Sequence, residues 1–246
     1  MAKKGLAKSI VILIILAAGF TGIFVYKKIA ARNSLAARIA ALSPSGAPPQ
    51  SIENLRQAID LYGKKIDEHV ADAAKVGIYW KILGSRLMDG PKPLYGEALE
   101  AFEQAARYYP DDESIHYLIG VSAGNLAKAE YFYPGEQAEH YRIAEAAYLR
   151  AVDLNGRYGK ALYGLGVLYV FDLERPPEAV PLLERYLEIN TRSTDGMFVL
   201  AAARYMTENY EEAAVLYDRI IGLTKDKNIR MQAEQLKQQV MDEWYR

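Results

Sequence analysis

The sequence predicts an all-α solenoid, in which pairs of antiparallel helices are stacked one after another. Three observations lead to this fold class. Apolar residues recur three and four positions apart along short segments, which places them on one helix face. The clearest pair of such segments lies between Gly159 and Asn190, and Arg175-Pro176-Pro177 separates its two halves. Similar pairs then recur at intervals of about 34 residues, as expected for stacked repeats.

Each predicted pair carries the same two signatures. The first helix contains an aliphatic residue followed by Gly or Ala, at Leu83-Gly84, Ile119-Gly120, Leu165-Gly166 and Leu200-Ala201. The second helix contains Ala, a large residue four positions later and a third core residue, at Ala98/Phe102/Ala105, Ala144/Tyr148/Ala151, Ala179/Leu183/Tyr186 and Ala213/Tyr217/Ile220. Because only a small side chain lets two backbones approach closely, we expect Gly166 and Ala179 where their helices are nearest.

A helix pair with this period resembles the tetratricopeptide repeat (TPR), whose pattern runs aromatic-x-x-Leu-Gly-x-x-Tyr, then Ala-x-x-x-Phe-x-x-Ala, then Pro. The best match is Trp80-x-x-Leu83-Gly84-x-x-Leu87, followed by Ala98-x-x-x-Phe102-x-x-Ala105 and Pro110. The resemblance implies four repeats over residues 76–225. Residues 51–75 would form an amino-terminal cap or a degenerate repeat, and residues 226–246 a capping helix. The alternative is an unrelated helical bundle whose spacing is accidental.

An uncharged run covers residues 9–26, between Lys8 and Lys27-Lys28. As a helix it would span about 27 Å, close to the hydrocarbon thickness of a bilayer. The sequence therefore predicts one transmembrane helix over residues 9–28, after a short tail at 1–8 and before an Ala-rich helix and Pro/Gly tether at 29–50. A cleaved signal peptide is the alternative, but its apolar region would be shorter and would end at small residues.

The orientation and location follow from the short tail. Lysines on both sides of the run make the positive-inside count indecisive. A tail of only eight residues before the span favours repeats outside the cytoplasm. We therefore expect a single-pass protein of the inner (cytoplasmic) membrane.

The second repeat contains an insertion near residues 127–141. From Ala123 to Ala144 there are 21 residues, where the family pattern has nine. Insertions in repeat proteins emerge as loops on one face. This one contains three consecutive aromatic residues, Tyr131, Phe132 and Tyr133, before a Pro-Gly turn. They either fold back onto the repeats or contact a partner.

Several functional classes find no support in the sequence. The formal net charge is −1, with 30 basic and 31 acidic residues and no Cys, so nothing favours nucleic acid binding. The three His residues are far apart in sequence, and Gly164-x-Gly166 lacks the third glycine of a dinucleotide fingerprint. We expect no catalytic residue, metal, cofactor or small-molecule substrate.

The resemblance to TPR proteins implies a binding groove lined by the first helices of the repeats, which in that family holds a peptide or a partner helix. In the family register the groove residues are Lys81, Ser85, Tyr117, Val121, Lys160, Tyr163, Val167 and Phe198. Their rings and aliphatic chains predict an apolar, aromatic groove for a protein or peptide partner. The alternative is that Tyr117 and Tyr163 only pack against neighbouring repeats.

Some TPR proteins hold a terminal carboxylate with a clamp of Lys, Asn, Asn, Lys and Arg. Here Lys81 and Lys160 match, while Ser85, Leu118 and Gly164 occupy the other positions. Two basic residues cannot surround a carboxylate, so this departure from the family pattern favours an apolar groove over a clamp.

The function that follows is a non-catalytic, membrane-tethered adaptor, similar to bacterial inner-membrane TPR proteins that serve envelope assembly, translocation or chaperoning. The alternative is a permanent structural subunit of a membrane complex. A large exposed apolar patch beyond the groove would favour that alternative.

Overall fold

The computed structural model describes residues 38, 52–129 and 133–245. This described part of the chain is helical and contains no strand, so the predicted all-α solenoid is confirmed. Its helices are α1 (Ile52–Met88), α2 (Tyr95–Tyr108), α3 (Glu113–Ala129), α4 (Pro134–Leu154), α5 (Gly159–Val167), α6 (Pro176–Ile189), α7 (Thr194–Met206), α8 (Tyr210–Leu223) and α9 (Lys227–Trp244).

The predicted transmembrane helix at residues 9–28 lies outside the described residues, as do the tail at 1–8 and, except for Arg38, the tether at 29–50. Of the helices in the described ranges, none combines the length and apolarity needed to cross a membrane.

Helix α1 contains no Pro and runs without a break through the position where the sequence suggested a boundary between a cap (51–75) and the first repeat. It ends just before Asp89-Gly90-Pro91, where Gly90 has a φ of +112° that favours glycine. The chain nevertheless divides into two compact units within this helix, between Ala73 and Ala74.

The second unit, from Ala74 onward, contains the stacked pairs. Helices α3 and α4, α5 and α6, and α7 and α8 pack as pairs, and α9 packs against α8. The first Ala of each predicted second-helix trio is fully buried, at Ala98, Ala144, Ala179 and Ala213. Large side chains fill the space beside them, including Phe102, Leu183 and Ile220, which are also fully buried. This alternation of small and large residues forms one continuous core.

Side-chain caps and prolines define where several helices begin. Asp112 Oδ1 accepts hydrogen bonds from the backbone N–H groups of Ser114 and Ile115 at the start of α3. Asp226 caps α9 in the same way. Pro176 occupies the first turn of α6, where its missing N–H costs nothing.

The insertion in the second repeat does not form the predicted surface loop over its whole length. Helix α3 continues to Ala129, and α4 already begins at Pro134 and has 21 residues. Most of the extra residues therefore lengthen the two helices of the repeat.

A π-helical segment, Leu168–Asp172, follows α5 directly. The backbone N–H of Leu173 donates to the carbonyl of Leu168, five residues earlier, at 2.9 Å. Such segments are rare and often occur at functional sites.

Candidate functional site

A cavity of about 200 Å³ lies between the first helices of the second and third repeats. We call it the central cavity. Helix α3 provides one wall, α5 and the π segment provide the other, and Tyr148 of α4 lies between them. Its lining residues are Tyr117, Val121, Gly124, Asn125, Lys128, Tyr148, Lys160, Tyr163, Gly164, Val167, Leu168 and Asp172.

Five of the eight predicted groove residues line this cavity, namely Tyr117, Val121, Lys160, Tyr163 and Val167. The structure therefore brings together the central part of the predicted groove. Lys81, Ser85 and Phe198 do not line it.

Lys81 is held by other side chains of the repeat stack. Its Nζ donates to Asp112 Oδ2 at 2.8 Å and to Ser114 Oγ at 2.6 Å, and the Oγ of Ser85 in turn donates to the Lys81 carbonyl. Burial raises the pKa of the Asp112 carboxyl, but hydrogen bonds from Lys81 and Ser114 and the Lys81 charge outweigh it, so that the pKa lies below its usual value. Lys81 thus links the first repeat to the start of α3.

The aromatic residues of the predicted row each contact a ring on the second helix of their own repeat. The Tyr117 and Tyr148 ring centroids are 6.1 Å apart, and those of Tyr163 and Tyr186 are 5.2 Å apart. Phe198 makes the corresponding contact with Tyr217 at 6.0 Å.

Tyr117, Tyr163 and Phe198 are all half-buried. Tyr117 and Tyr163 therefore pack within the repeats, as the alternative interpretation required, and also present part of their surface to the cavity.

The hydroxyl groups around the cavity are uncharged at neutral pH. Burial raises the pKa values of Tyr117 and Tyr148, and it does the same for Tyr163 with a smaller contribution from Asp195. The Lys160 ammonium lies 5.9 Å from the Tyr117 ring centroid. It forms no salt bridge with any described residue. The cavity thus offers neutral aromatic surface beside the Lys160 ammonium.

Seven lining residues were not predicted as groove residues from the sequence, namely Gly124, Asn125, Lys128, Tyr148, Gly164, Leu168 and Asp172. Lys128 Nζ lies 3.2 Å from Asp172 Oδ2, and the Tyr141 hydroxyl donates to Asp172 Oδ1 at 3.3 Å. Asn125 lies four residues beyond Val121 and Lys128 three further, so helical periodicity pointed to both. Asp172 is the last residue of the π segment, which the apolar periodicity of the sequence does not indicate.

The aromatic residues of the insertion are only partly described. Tyr131 and Phe132 lie outside the described residues. Tyr133 precedes the first residue of α4, and 63% of its surface is exposed. Tyr133 therefore does not fold back into the core, and its role as a contact stays a prediction.

Two other pockets lie in the second unit. One combines Trp80, Leu83 and Leu87 with the acidic residues Glu97, Glu100 and Glu103. The other surrounds Arg204, which forms salt bridges with Glu184 and Glu212. Neither contains a predicted groove residue. Within the described ranges no three His, Cys, Asp or Glu residues are grouped so that they could hold a metal ion.

The sequence profile of the tetratricopeptide repeat family matches residues 94–133, 136–193 and 169–227, which together cover more than half of the chain. The chain belongs to the tetratricopeptide repeat family. It is 24% identical over 189 residues to a TPR repeat-containing protein of Borreliella burgdorferi, covering 76% of this chain and 81% of that protein. Proteins of this family are generally non-catalytic adaptors.

Solved structures show the same fold at low sequence identity. MamA from Desulfovibrio magneticus RS-1, from residue 41 to its end, superposes with a TM-score of 0.53 and 18% identity, covering 70% of this chain and 94% of MamA. YrrB, described as a TPR protein with an unusual peptide-binding site, gives a TM-score of 0.52 and 21% identity, covering 85% of this chain and 97% of YrrB.

Proposed function

We propose that this protein is a non-catalytic, membrane-tethered adaptor that binds an extended or helical segment of a protein partner at the central cavity. One observation carries the proposal: Tyr117, Tyr163 and Val167 line a single opening between the first helices of two successive repeats. Half-buried rings provide apolar contact area and lose little conformational freedom on binding.

The dimensions of the cavity favour a side chain of a partner over a small-molecule ligand. Its volume of about 200 Å³ is below the ~300–1,000 Å³ that is common for small-molecule sites. A partner segment would place one apolar or aromatic side chain between Tyr117 and Tyr163 and continue along the first helices. The peptide-binding site named for YrrB supports this mode of recognition.

The tether is the second part of the proposal, and the uncharged run at residues 9–26 supports it. We infer that residues 9–28 cross the inner membrane once and that the repeats lie outside the cytoplasm, where envelope assembly, translocation or chaperoning takes place. A reporter that is active only after export, fused after Arg246, should then be active. The protein should also remain in the membrane fraction at its full mass of 27.6 kDa. A soluble product trimmed near residues 30–45 would contradict the tether.

A photo-crosslinking experiment tests the groove. A photoreactive amino acid is placed at Asn125 or Val167, which line the cavity, and in a control at Val215, which is 60% exposed on α8. Irradiation of intact cells should join the same partner to both cavity positions and not to Val215.

Two other results would contradict the proposed groove. Equal capture at all three positions would indicate random contact. Capture only at Val215 would place the binding surface elsewhere on the repeats.

A second candidate function is a permanent structural subunit of a membrane complex. The observation that favours it is an apolar stripe on α1, in the first unit of the chain, in which Ile59, Tyr62, Ile66 and Val70 are each at least half exposed. A subunit would be recovered with its complex after detergent extraction, whereas an adaptor would exchange its partner.

A further inference from the structure

The exposed stripe on α1 lies entirely in the first unit of the chain. Ile59, Tyr62, Ile66 and Val70 are spaced by three, four and four residues, so they share one helix face. Between 50% and 70% of each side chain's surface is exposed. Ala58 and Leu61, on another side of the helix, are buried. An exposed apolar stripe of this kind marks an interaction surface.

The sequence of this part of α1 has a heptad repeat. Counting from Ile52, positions that lie alternately three and four residues apart share one face of the helix, which we call the seam. The seam residues are Ile52, Leu55, Ile59, Tyr62, Ile66, His69 and Ala73. The positions facing away from the seam are mostly polar and include Glu53, Gln57, Asp60, Lys64, Asp67 and Glu68. Of the exposed stripe, Ile59, Tyr62 and Ile66 lie in this seam, and Val70 lies beside it. A seam that keeps a 3.5-residue period faces a partner helix continuously when the two helices supercoil.

We propose that residues 52–73 form a parallel, two-stranded coiled coil with the same residues of a second copy of this chain. The seam matches itself, because each residue of an in-register pair meets its own counterpart. Isoleucine occupies three of the four alternate seam positions, at 52, 59 and 66, and Ala73 occupies the fourth. In two-stranded parallel coiled coils β-branched residues are preferred at these alternate positions. The proposal does not depend on the function of the groove.

The residues beside the seam are compatible with this pairing. In a parallel pair, Lys65 of one copy faces Val70 of the other, and Ala58 faces Gly63. Neither contact brings like charges together. Glycine at position 63 also leaves room, since a Cβ placed there has no atom within 4 Å. His69 is a polar residue within the seam, and such residues fix the register at some cost in stability.

The pairing is expected to be weak in free solution, because three heptads are near the lower limit for a stable coiled coil. Tethering both copies in one membrane would raise their effective concentration and favour the parallel orientation. This last step alone rests on the tether proposed above.

Cysteine crosslinking of the full-length chain tests the proposal, since the chain has no Cys of its own. Single substitutions Ile59→Cys and Ile66→Cys place thiols in the seam. Lys64→Cys places one on the opposite face, where Lys64 is exposed. After mild oxidation in the membrane, the two seam variants should form a disulfide-linked species of twice 27.6 kDa, and Lys64→Cys should remain a single chain.

Three results would overturn the proposal. Equal crosslinking of Lys64→Cys would indicate random collision, and a crosslinked band of another mass would indicate a different protein. Seam thiols that are shielded from a maleimide without forming a dimer would show that the stripe is covered by its own chain.

A second measurement addresses the fold of the variants. Ile59→Asp combined with Ile66→Asp should reduce the mass recovered after lysine-directed crosslinking in the membrane from two chains to one, while the thermal transition of the repeats is unchanged. A mass that stays at two chains would place the dimer contact elsewhere and refute the seam.

Discussion

A Cβ atom built on Gly166 would lie only 2.6 Å from Cδ2 of Leu183, so the first and second helices of the third repeat are in direct contact there. The same relation holds between Gly84 and Phe102, at 2.7 Å, and between Gly120 and Tyr148, at 2.6 Å. In each of these repeats a glycine on the first helix makes room for the large residue of the second-helix trio. This pairing explains why the two signatures recur together in the sequence.

The first prediction concerns this contact. Gly166→Ala should lower the free energy of unfolding by about 1–3 kcal/mol, because the added methyl group overpacks a core with no space for it. Chemical denaturation of the full chain, followed by circular dichroism, measures this change in the free energy of unfolding.

Gly222→Ala is a matched control on α8, since a Cβ there meets no atom within 4 Å. It should be neutral or slightly stabilising, because Ala is the better helix former. In a Leu183→Ala background the cost of Gly166→Ala should shrink. If Gly166→Ala left the stability unchanged in both backgrounds, the close contact described between these two helices would be contradicted.

The repeats could be predicted from the sequence because their signals are local and recur in register. Glycines such as Gly166 and alanines such as Ala179 appear at fixed intervals, and a periodic core follows from them. The family register also fixes which first-helix positions share a face, and five of the predicted residues line the central cavity for this reason. Their contact with a partner stays a prediction. Lys81 was placed by this register too, but its contact with Asp112, 31 residues away, cannot be inferred from helical spacing.

Other features depend on geometry that leaves no trace in the sequence pattern. The π segment at Leu168–Asp172 alters the direction of the side chains that follow it, and the apolar periodicity around it is that of an ordinary helix. The insertion was expected to be a loop, yet the structure extends two helices. Residues of good helix propensity, such as Ala127, Lys128 and Ala129, can continue a helix whenever packing supports them.

The second prediction concerns acid stability and the pair formed by Lys81 and Asp112. Since the folded-state pKa of Asp112 lies below the usual 3.8, the ionised carboxylate stabilises the protein above that pH. This contribution is lost as the pH falls through the lowered pKa of the folded state. Lys81→Met should therefore reduce stability at pH 7 by about 0.5–1 kcal/mol, a modest value because both side chains are about one-third exposed.

Thermal melts between pH 2 and pH 7 measure this effect. The difference between the parent and Lys81→Met should be constant near neutrality and should disappear at the acidic end. Lys64→Met removes a more exposed pair with Asp60 and should change stability less. A difference that persisted unchanged below pH 3 would show that the charge of Asp112 is not involved.

The third prediction concerns Asp172, whose carboxylate forms a salt bridge with Lys128 and accepts a hydrogen bond from the Tyr141 hydroxyl. Only 12% of the Asp172 side chain is exposed, so its loss leaves both partners without their acceptor. Asp172→Ala should lower stability by about 1–2 kcal/mol. It should also speed hydrogen exchange at the end of α3 and the start of α4, because these contacts join both helices to the π segment of the third repeat.

Hydrogen exchange followed by mass spectrometry resolves these segments. Asp153→Ala is a suitable control, because Asp153 is an exposed residue of α4. Faster exchange confined to the π segment, with α3 and α4 unchanged, would contradict the linking role of Asp172.

The last prediction concerns partner binding and compares Tyr163 with Lys81. Tyr163 lines the cavity and its ring is 5.2 Å from that of Tyr186, so its truncation removes both a partner contact and a packing contact. Tyr163→Ala should weaken capture of the partner at Val167 by roughly thirtyfold, which corresponds to about 2 kcal/mol. Tyr163→Phe keeps the ring and should bind nearly as well as the parent.

Lys81→Met should lose stability but retain partner capture, because the Lys81 ammonium is occupied by Asp112 and Ser114. A melt of each variant separates unfolding from loss of binding, since capture is compared only at temperatures where every variant is folded. If capture depended on Lys81 and not on Tyr163, the partner would be recognised through its charge, and the apolar groove would be the wrong binding site.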